Sequence, residues 1–269
     1  MYEQVGQRLR EEAASRPELA NTIGLYCALL EAQARARPQP NAGLDPVEAA
    51  SRLDQGLPLL SPEALAVEGP ALAELCDQIV AIIAEHRPEV ADAVAAARAW
   101  LNRERERLAA LAREYLREGR IADGEAADLL AFIFDSALHP FLRAQAQVLA
   151  PLVEDSAWYR GSCPICGSEP DFAALDRKGG RRRLLCSRCD TEWTFLRVGC
   201  PFCGNHDPRR LGYYPSDDKS YRLSVCGDCR RYMKTIDLRE AAGERLPAVE
   251  RVLTLSMDLA AQKAGYRRG

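Results

Sequence analysis

The chain has 269 residues, 47% of them apolar and only 7% aromatic, with 36 Lys and Arg against 39 Asp and Glu. That length supports one large domain or two modest ones, and a chain rich in Ala and Leu favours helices over a β-rich fold. A formal charge of −3 gives no overall attraction to nucleic acid or to an anionic membrane, and no run of about 18 apolar residues marks a membrane span.

The start, MYEQVGQRLREEAASRPEL, is polar and charged, without the basic and apolar regions of a signal peptide, so a cytoplasmic location is expected. Residues 1–157 read as an α-helical domain. Leu9, Ala13 and Leu19 hint at a first helix. Asp45-Pro46-Val47-Glu48 is a helix start, with Asp45 as cap, Pro46 in the first turn and Glu48 placed for a capping box. LDQGLPLL, 53–60, reads as an irregular connection with buried leucines. After Ser61-Pro62, the residues Leu65, Leu72, Leu75, Ile79 and Ile83 recur at helical spacing as far as Arg87-Pro88.

One long helix is then expected, with Val90, Val94, Ala97, Leu101, Leu108, Leu111 and Tyr115 on one stripe, a solvated NRERER face and an end at Gly119. Two more helices are expected, Glu125–Leu138 and Phe141 to about Asp155. The last segment, 239–269, is expected to form a helix that packs back on the helical domain.

Beyond Trp158, Gly, Cys, Arg and aromatics rise and Ala nearly vanishes. Eight of the ten cysteines form CxxC pairs: Cys163/Cys166, Cys186/Cys189, Cys200/Cys203 and Cys226/Cys229. In a reducing compartment such pairs are metal ligands or redox groups rather than disulfides. A CxxC turn aims two sulfurs at one centre, and two turns joined by a hairpin make a tetrahedral four-sulfur site. Chain order assigns Cys163, Cys166, Cys186 and Cys189 to one site and Cys200, Cys203, Cys226 and Cys229 to the other.

The intervening sequence supports that division. Asp171–Asp176 and Arg182–Leu185 read as strands about the turn Arg177-Lys178-Gly179-Gly180. Leu211–Tyr214 and Tyr221–Val225 repeat the plan, and Met233–Ile236 adds a strand. Gly167 and Gly204 suit a positive φ in the leading knuckles. The expected units are thus a first ribbon over 158–195 and a second over 196–238. TEWTFLRVG is expected to be a shared strand and bridge, with Trp193 and Phe195 packed where the ribbons meet. The expected fold class is α plus small β: an all-α domain, two tandem rubredoxin-like zinc ribbons and a C-terminal helix.

Four thiolates fit zinc or a single iron, and zinc is the simpler expectation. A divalent ion with four thiolates carries −2. Between Ser156 and Leu238, fifteen Lys and Arg face ten Asp and Glu, and two such sites would leave about +1 of that excess. This weakens a nucleic-acid reading of Arg181-Arg182-Arg183, Arg209 and Arg210 with Tyr213, Tyr214 and Tyr221. Closed four-cysteine sites are ordinarily structural staples. His206 is surplus to the ligand count, and His86 and His139 border prolines at helix ends. Cys27 and Cys76 read as small core residues. No Walker loop, GxGxxG, GxSxG or HExxH motif occurs. No enzymatic activity is assigned, and no catalytic or cofactor-binding residue is named.

CPICGSEP, LLCSRCDTEWTFLRVGCPFCGN and CGDCRRYMKTIDL, with LDQGLPLL, HPFL at 139–142 and LSMDLAAQKAGY, resemble the formate dehydrogenase accessory protein family, FdhE. The resemblance covers most of the chain, which looks shorter at its N-terminus than many family members. It implies a cytoplasmic maturation factor that respiratory formate dehydrogenases need for activity, with the eight paired cysteines as metal ligands. It also implies contact with the catalytic subunit of the molybdenum or tungsten enzyme. Self-association stays open. Two other functions remain beside it: a rubredoxin-like iron or thiol redox protein acting during cofactor insertion, and, less favoured, a nucleic-acid-binding ribbon.

Overall fold

The computed structural model describes residues 1–41, 43–122, 124, 126–154 and 157–268. They fall into two compact units, one built from 1–42 and 60–148 and the other from 43–59 and 149–269.

The first unit is helical: α1 (Tyr2–Ala13), α2 (Ala20–Ala36), α4 (Gly69–His86), α5 (Ala91–Arg103), α6 (Leu108–Glu118) and most of α7 (Ala127–Leu149). α4 buries Leu72, Leu75, Ile79 and Ile83 at the spacing seen in the sequence, and it packs against α2, α5 and α6. Cys27 and Cys76 are core residues, 7% and 0% exposed, and burial pushes the Cys76 thiol up to about 12.

Two helix boundaries differ from the sequence reading. The long helix expected across 90–115 is divided by a 3₁₀ turn at Arg105–Arg107. Arg105 ties that turn to Asp77 of α4 at 2.9 Å, and Glu104 pairs with Arg103 and Arg107. Conversely, the two helices expected on either side of His139-Pro140 are one helix, α7, with Pro140 inside it. Leu130, Ile133, Phe134, Ala137, Leu138, Phe141, Leu142, Ala146 and Leu149 form one buried stripe straight through the proline. Burying that stripe outweighs the roughly 3 kcal/mol that an internal proline costs. The expected ends of those two helices at Glu125 and Asp155 lie outside the described residues.

The second unit is built on one sheet. Its strands are β1 (Pro170–Leu175), β2 (Arg182–Cys186), β3 (Glu192–Phe195), β4 (Leu211–Pro215), β5 (Tyr221–Cys226), β6 (Arg231–Asp237) and the short β7 (Arg267–Arg268). The order is β3-β2-β1-β6-β5-β4, with β7 pairing β6. Each ribbon is an antiparallel meander, and the two fuse because β1 and β6 pair in parallel, Phe172 opposite Lys234 and Leu175 opposite Asp237.

This corrects the role given to TEWTFLRVG. Its strand, β3, is at the sheet edge and pairs with β2, so it is not shared between ribbons. Trp193 is buried there and donates from Nε1 to the Arg160 carbonyl at 2.9 Å, on the approach to the first knuckle. The modules meet at β1 and β6 instead.

The C-terminal segment forms α8 (Pro247–Leu253) and α9 (Leu255–Lys263), which lie on the sheet, α8 against β1 and β6 and α9 against β6. These contacts make the segment part of the sheet unit. The reason is a buried charge set on that sheet face. Lys234, 1% exposed, donates to Asp258 Oδ2 at 2.6 Å and to the Arg251 carbonyl at 2.9 Å, and Tyr232 donates to Asp258 Oδ1 at 2.7 Å. Burial lowers the Lys234 pKa, with Asp258 opposing the shift. A lysine this deep needs an anion beside it, and α9 supplies one.

The segment 43–59 also belongs to this unit. Its helix α3 (Pro46–Asp54) starts as expected, with Asp45 Oδ1 accepting from the Val47 and Glu48 amides at 2.9 and 3.3 Å.

Candidate metal centres

Four CxxC knuckles have the same construction. In the leading pair of each ribbon the first cysteine's carbonyl accepts from the glycine after the second cysteine: Gly167 to Cys163 and Gly204 to Cys200, both at 3.0 Å. Those glycines have φ of 74° and 72°. In the trailing pairs the same position is filled by Asp190 (φ 56°) and Arg230 (φ 58°), and Arg230 donates to the Cys226 carbonyl at 3.0 Å. The left-handed backbone is thus a requirement of the knuckle, met without glycine in half the cases. At Gly167 a Cβ would also lie 3.1 Å from the Pro58 ring, a tight contact that the ring would have to yield to. Leu59 donates to the Pro164 carbonyl at 2.9 Å, so LDQGLPLL braces the first knuckle.

The knuckles bring the sulfurs together in the two sets expected from chain order. In the first, Cys163 and Cys189 are 3.6 Å apart, Cys166 and Cys186 3.4 Å, and Cys166 and Cys189 3.5 Å. In the second, Cys200 and Cys229 are 3.6 Å apart and Cys203 and Cys226 3.7 Å. Within each set all four sulfurs lie inside 4.8 Å of one another, and all eight thiols are free. A tetrahedral ion with bonds of about 2.3 Å places its sulfurs about 3.8 Å apart, so both donor sets fit a four-coordinate soft-ligand ion such as zinc or iron.

The surroundings favour thiolates gathered on a cation. The Ile165 and Arg188 amides point at Cys163 and Cys186 Sγ, each at 3.4 Å. Burial pushes the Cys163, Cys186 and Cys189 thiols up, whereas hydrogen bonds from its three neighbours hold Cys166 down. A bound divalent ion supplies the charge that such buried thiolates need.

The two groups differ in access. In the first, three cysteines are buried; in the second, Cys203 is exposed and Cys229 half-buried. With a chelator at limiting concentration, the second group should release its ion first. Release in the wild type should have two phases, the faster one missing from a Cys203→Ser variant, and simultaneous loss from both groups would contradict this.

The sequence reading missed Arg251 of α8. Its Nη1 donates to Asp190 at 3.0 Å, its Nη2 to the Cys186 carbonyl at 2.8 Å, and its Nε pairs with Asp171 at 3.0 Å. One buried guanidinium therefore fixes both ends of the Cys186/Cys189 knuckle against β1. Gly161 was also missed: a Cβ there would sit 1.8 Å from the Pro201 carbonyl oxygen, so only glycine admits the second ribbon's first knuckle so close. His206, read as a surplus loop residue, stands against Gly199 and is not in either sulfur group.

The comparisons with known proteins agree with this architecture. A family model described as "FdhE, central domain" matches residues 162–197, the first four-cysteine ribbon. A "Protein FdhE homolog" of Aquifex aeolicus is 35% identical over 150 residues, covering 54% of this chain and 52% of that protein. Another of Edwardsiella ictaluri is 30% identical over 277 residues, covering 100% of this chain and 86% of that protein. The chain belongs to the FdhE family. The fold agrees as well: the crystal structure of the FdhE protein from Pseudomonas aeruginosa matches with a TM-score of 0.68 at 24% identity, over 100% of this chain and 93% of that one. Within the FdhE family match, the Cys163–Cys189 group is the part covered by the central-domain model, and the second four-cysteine group lies beyond it.

Proposed function

We propose that this chain is a cytoplasmic maturation factor for formate dehydrogenase. On this reading it acts without catalysing a reaction, by binding the catalytic subunit of the molybdenum or tungsten enzyme. The observation that carries the proposal is family membership along the whole chain, 30% identity over 277 residues to an FdhE homolog. Among the described residues, no helix is long and apolar enough to cross a membrane.

Cys163, Cys166, Cys186 and Cys189 hold one zinc ion in this reading, and Cys200, Cys203, Cys226 and Cys229 hold a second. Four sulfurs per ion fill the tetrahedron, so each ion serves as a staple and leaves no position for substrate. The two ions close the ribbons, and the fused sheet becomes a rigid platform for a partner.

A clean deletion of the gene should abolish formate dehydrogenase activity while the transcript of the catalytic subunit persists, and the wild-type chain supplied in trans should restore activity. Normal activity in the deletion strain would sink the proposal. The redox alternative rests on the same donor set, because four thiolates with amide hydrogen bonds also suit iron. An iron–thiolate absorption band in anaerobically purified protein would favour it, and colourless protein holding two zinc ions would argue against its iron form.

A further inference from the structure

The sheet face opposite α8 and α9 carries a cleft of about 320 Å³ beside the second four-cysteine group, whose Cys200 and Cys226 lie in its lining. Met233 and Thr235 of β6 form its floor, and the bridge from Val198 to Phe202 forms a wall. Its size lies at the small end of the range for ligand sites, and its lining mixes apolar groups with a few convergent polar ones.

The polar groups are of one kind. Arg182, Arg197, Arg222 and Arg231 line the cleft, and no carboxylate is among its lining residues. Two of these cations already have anions: Arg222 pairs with Asp237, and Arg231 with Glu169. Arg182 does not. It is 6% exposed, its Nη1 donates to the Gly199 carbonyl at 2.8 Å, its guanidinium lies over Phe195, and no carboxylate among the described residues pairs with it. Burial lowers its pKa to about 10, and the attraction of the Cys200 sulfur offsets only part of that. Its one anionic neighbour is the Cys200 sulfur, which the ion of the second group would share, so an anion from outside would complete the pairing of this buried guanidinium.

A second and independent observation points the same way. Thr235, 2% exposed, lines the cleft, and its hydroxyl has no hydrogen-bond partner. Buried hydroxyls are ordinarily paired, so an orphan on a residue that lines a cavity marks a place where a ligand atom completes the set.

We propose that this cleft binds a small organic anion, whose phosphate or carboxylate group meets Arg182 and the Thr235 hydroxyl and whose apolar part lies against Met233 and Val198. The proposal does not depend on the formate dehydrogenase reading, and either can fail alone.

The chain contains three methionines, Met1, Met233 and Met257. Met233 lines the cleft, whereas Met257 packs on the opposite sheet face beside Tyr232 and Ala261. Methyl-labelled methionine NMR on the full metal-loaded chain therefore reads the site directly. Phenyl phosphate should shift the Met233 methyl saturably and leave Met257 in place. Inorganic phosphate should bind more weakly, and neutral benzyl alcohol should not saturate.

Thr235→Val should weaken phenyl phosphate binding about tenfold, the usual effect of losing one hydrogen bond to a charged group, without lowering the melting temperature of the free protein. Arg182→Gln should abolish binding. Because Arg182 also holds the bridge at Gly199, the Thr235 variant carries the decision. No saturable Met233 shift, unchanged binding in Thr235→Val, or inorganic phosphate binding as tightly as phenyl phosphate would each overturn the proposal.

Discussion

Replacing Cys186 by serine is expected to unfold the sheet unit while the helical signal of the other unit persists. Cys186 is fully buried, its sulfur stands 3.4 Å from Cys166, and it is the last residue of β2. Serine removes a thiolate ligand, and a structural zinc ion contributes about 10–16 kcal/mol in apparent terms to the fold that holds it. Losing even half of that exceeds the typical stability of a small domain. The loss passes on to the second ribbon, because β1 of the first pairs in parallel with β6 of the second. Limited proteolysis should cut between residues 158 and 238 in the variant and leave the wild type intact. A Cys186→Ser protein as protease-resistant as wild type would show that the first four-cysteine group is no staple.

Replacing Arg251 by methionine should cost about 3–5 kcal/mol, the usual effect of removing one partner from a buried ion pair. The Arg251 side chain is 17% exposed, and those of Asp171 and Asp190, both about 3.0 Å from it, are 5% and 6% exposed. Asp190 is the left-handed residue of the Cys186/Cys189 knuckle, so its loss of a cation should also loosen the first ion. The melting temperature should fall by several degrees, and chelator should then strip the first group as readily as the second. Arg251→Lys should not rescue, since a single ammonium cannot reach Asp171, Asp190 and the Cys186 carbonyl at once. A variant within about 0.5 kcal/mol of wild type would contradict the account of Arg251 as the brace of the Cys186/Cys189 knuckle.

The sulfur arithmetic was legible because a CxxC turn is local and its spacing nearly determines the geometry. The strands between the pairs were legible for a similar reason: turn residues at 177–180 and 215–219 bound short β-prone runs. What was not legible was long-range. Nothing near Asp171 or Lys234 announces that β1 and β6 lie side by side, since parallel pairing leaves no turn between them. Nor does anything near Arg251 or Asp258 announce that Asp171 and Lys234 lie opposite them.

Local punctuation also misled in two places. Pro140 looked like a helix boundary, but the apolar stripe on both sides of it keeps one phase. The break at Arg105–Arg107 has neither Gly nor Pro to mark it. The glycine rule succeeded at Gly167 and Gly204, and it could have found Asp190 from the shared position after each second cysteine. The same position after Cys229 holds Arg230.

The most direct test is the metal content of the purified full-length chain, read together with the X-ray absorption of the bound metal. The expected result is two ions per chain, each with four sulfur neighbours at about 2.3 Å. It should fall to one ion when Cys203 and Cys229 are both changed to serine. One ion per chain in the wild type, or a shell containing nitrogen or oxygen, would contradict two separate and closed four-cysteine sites.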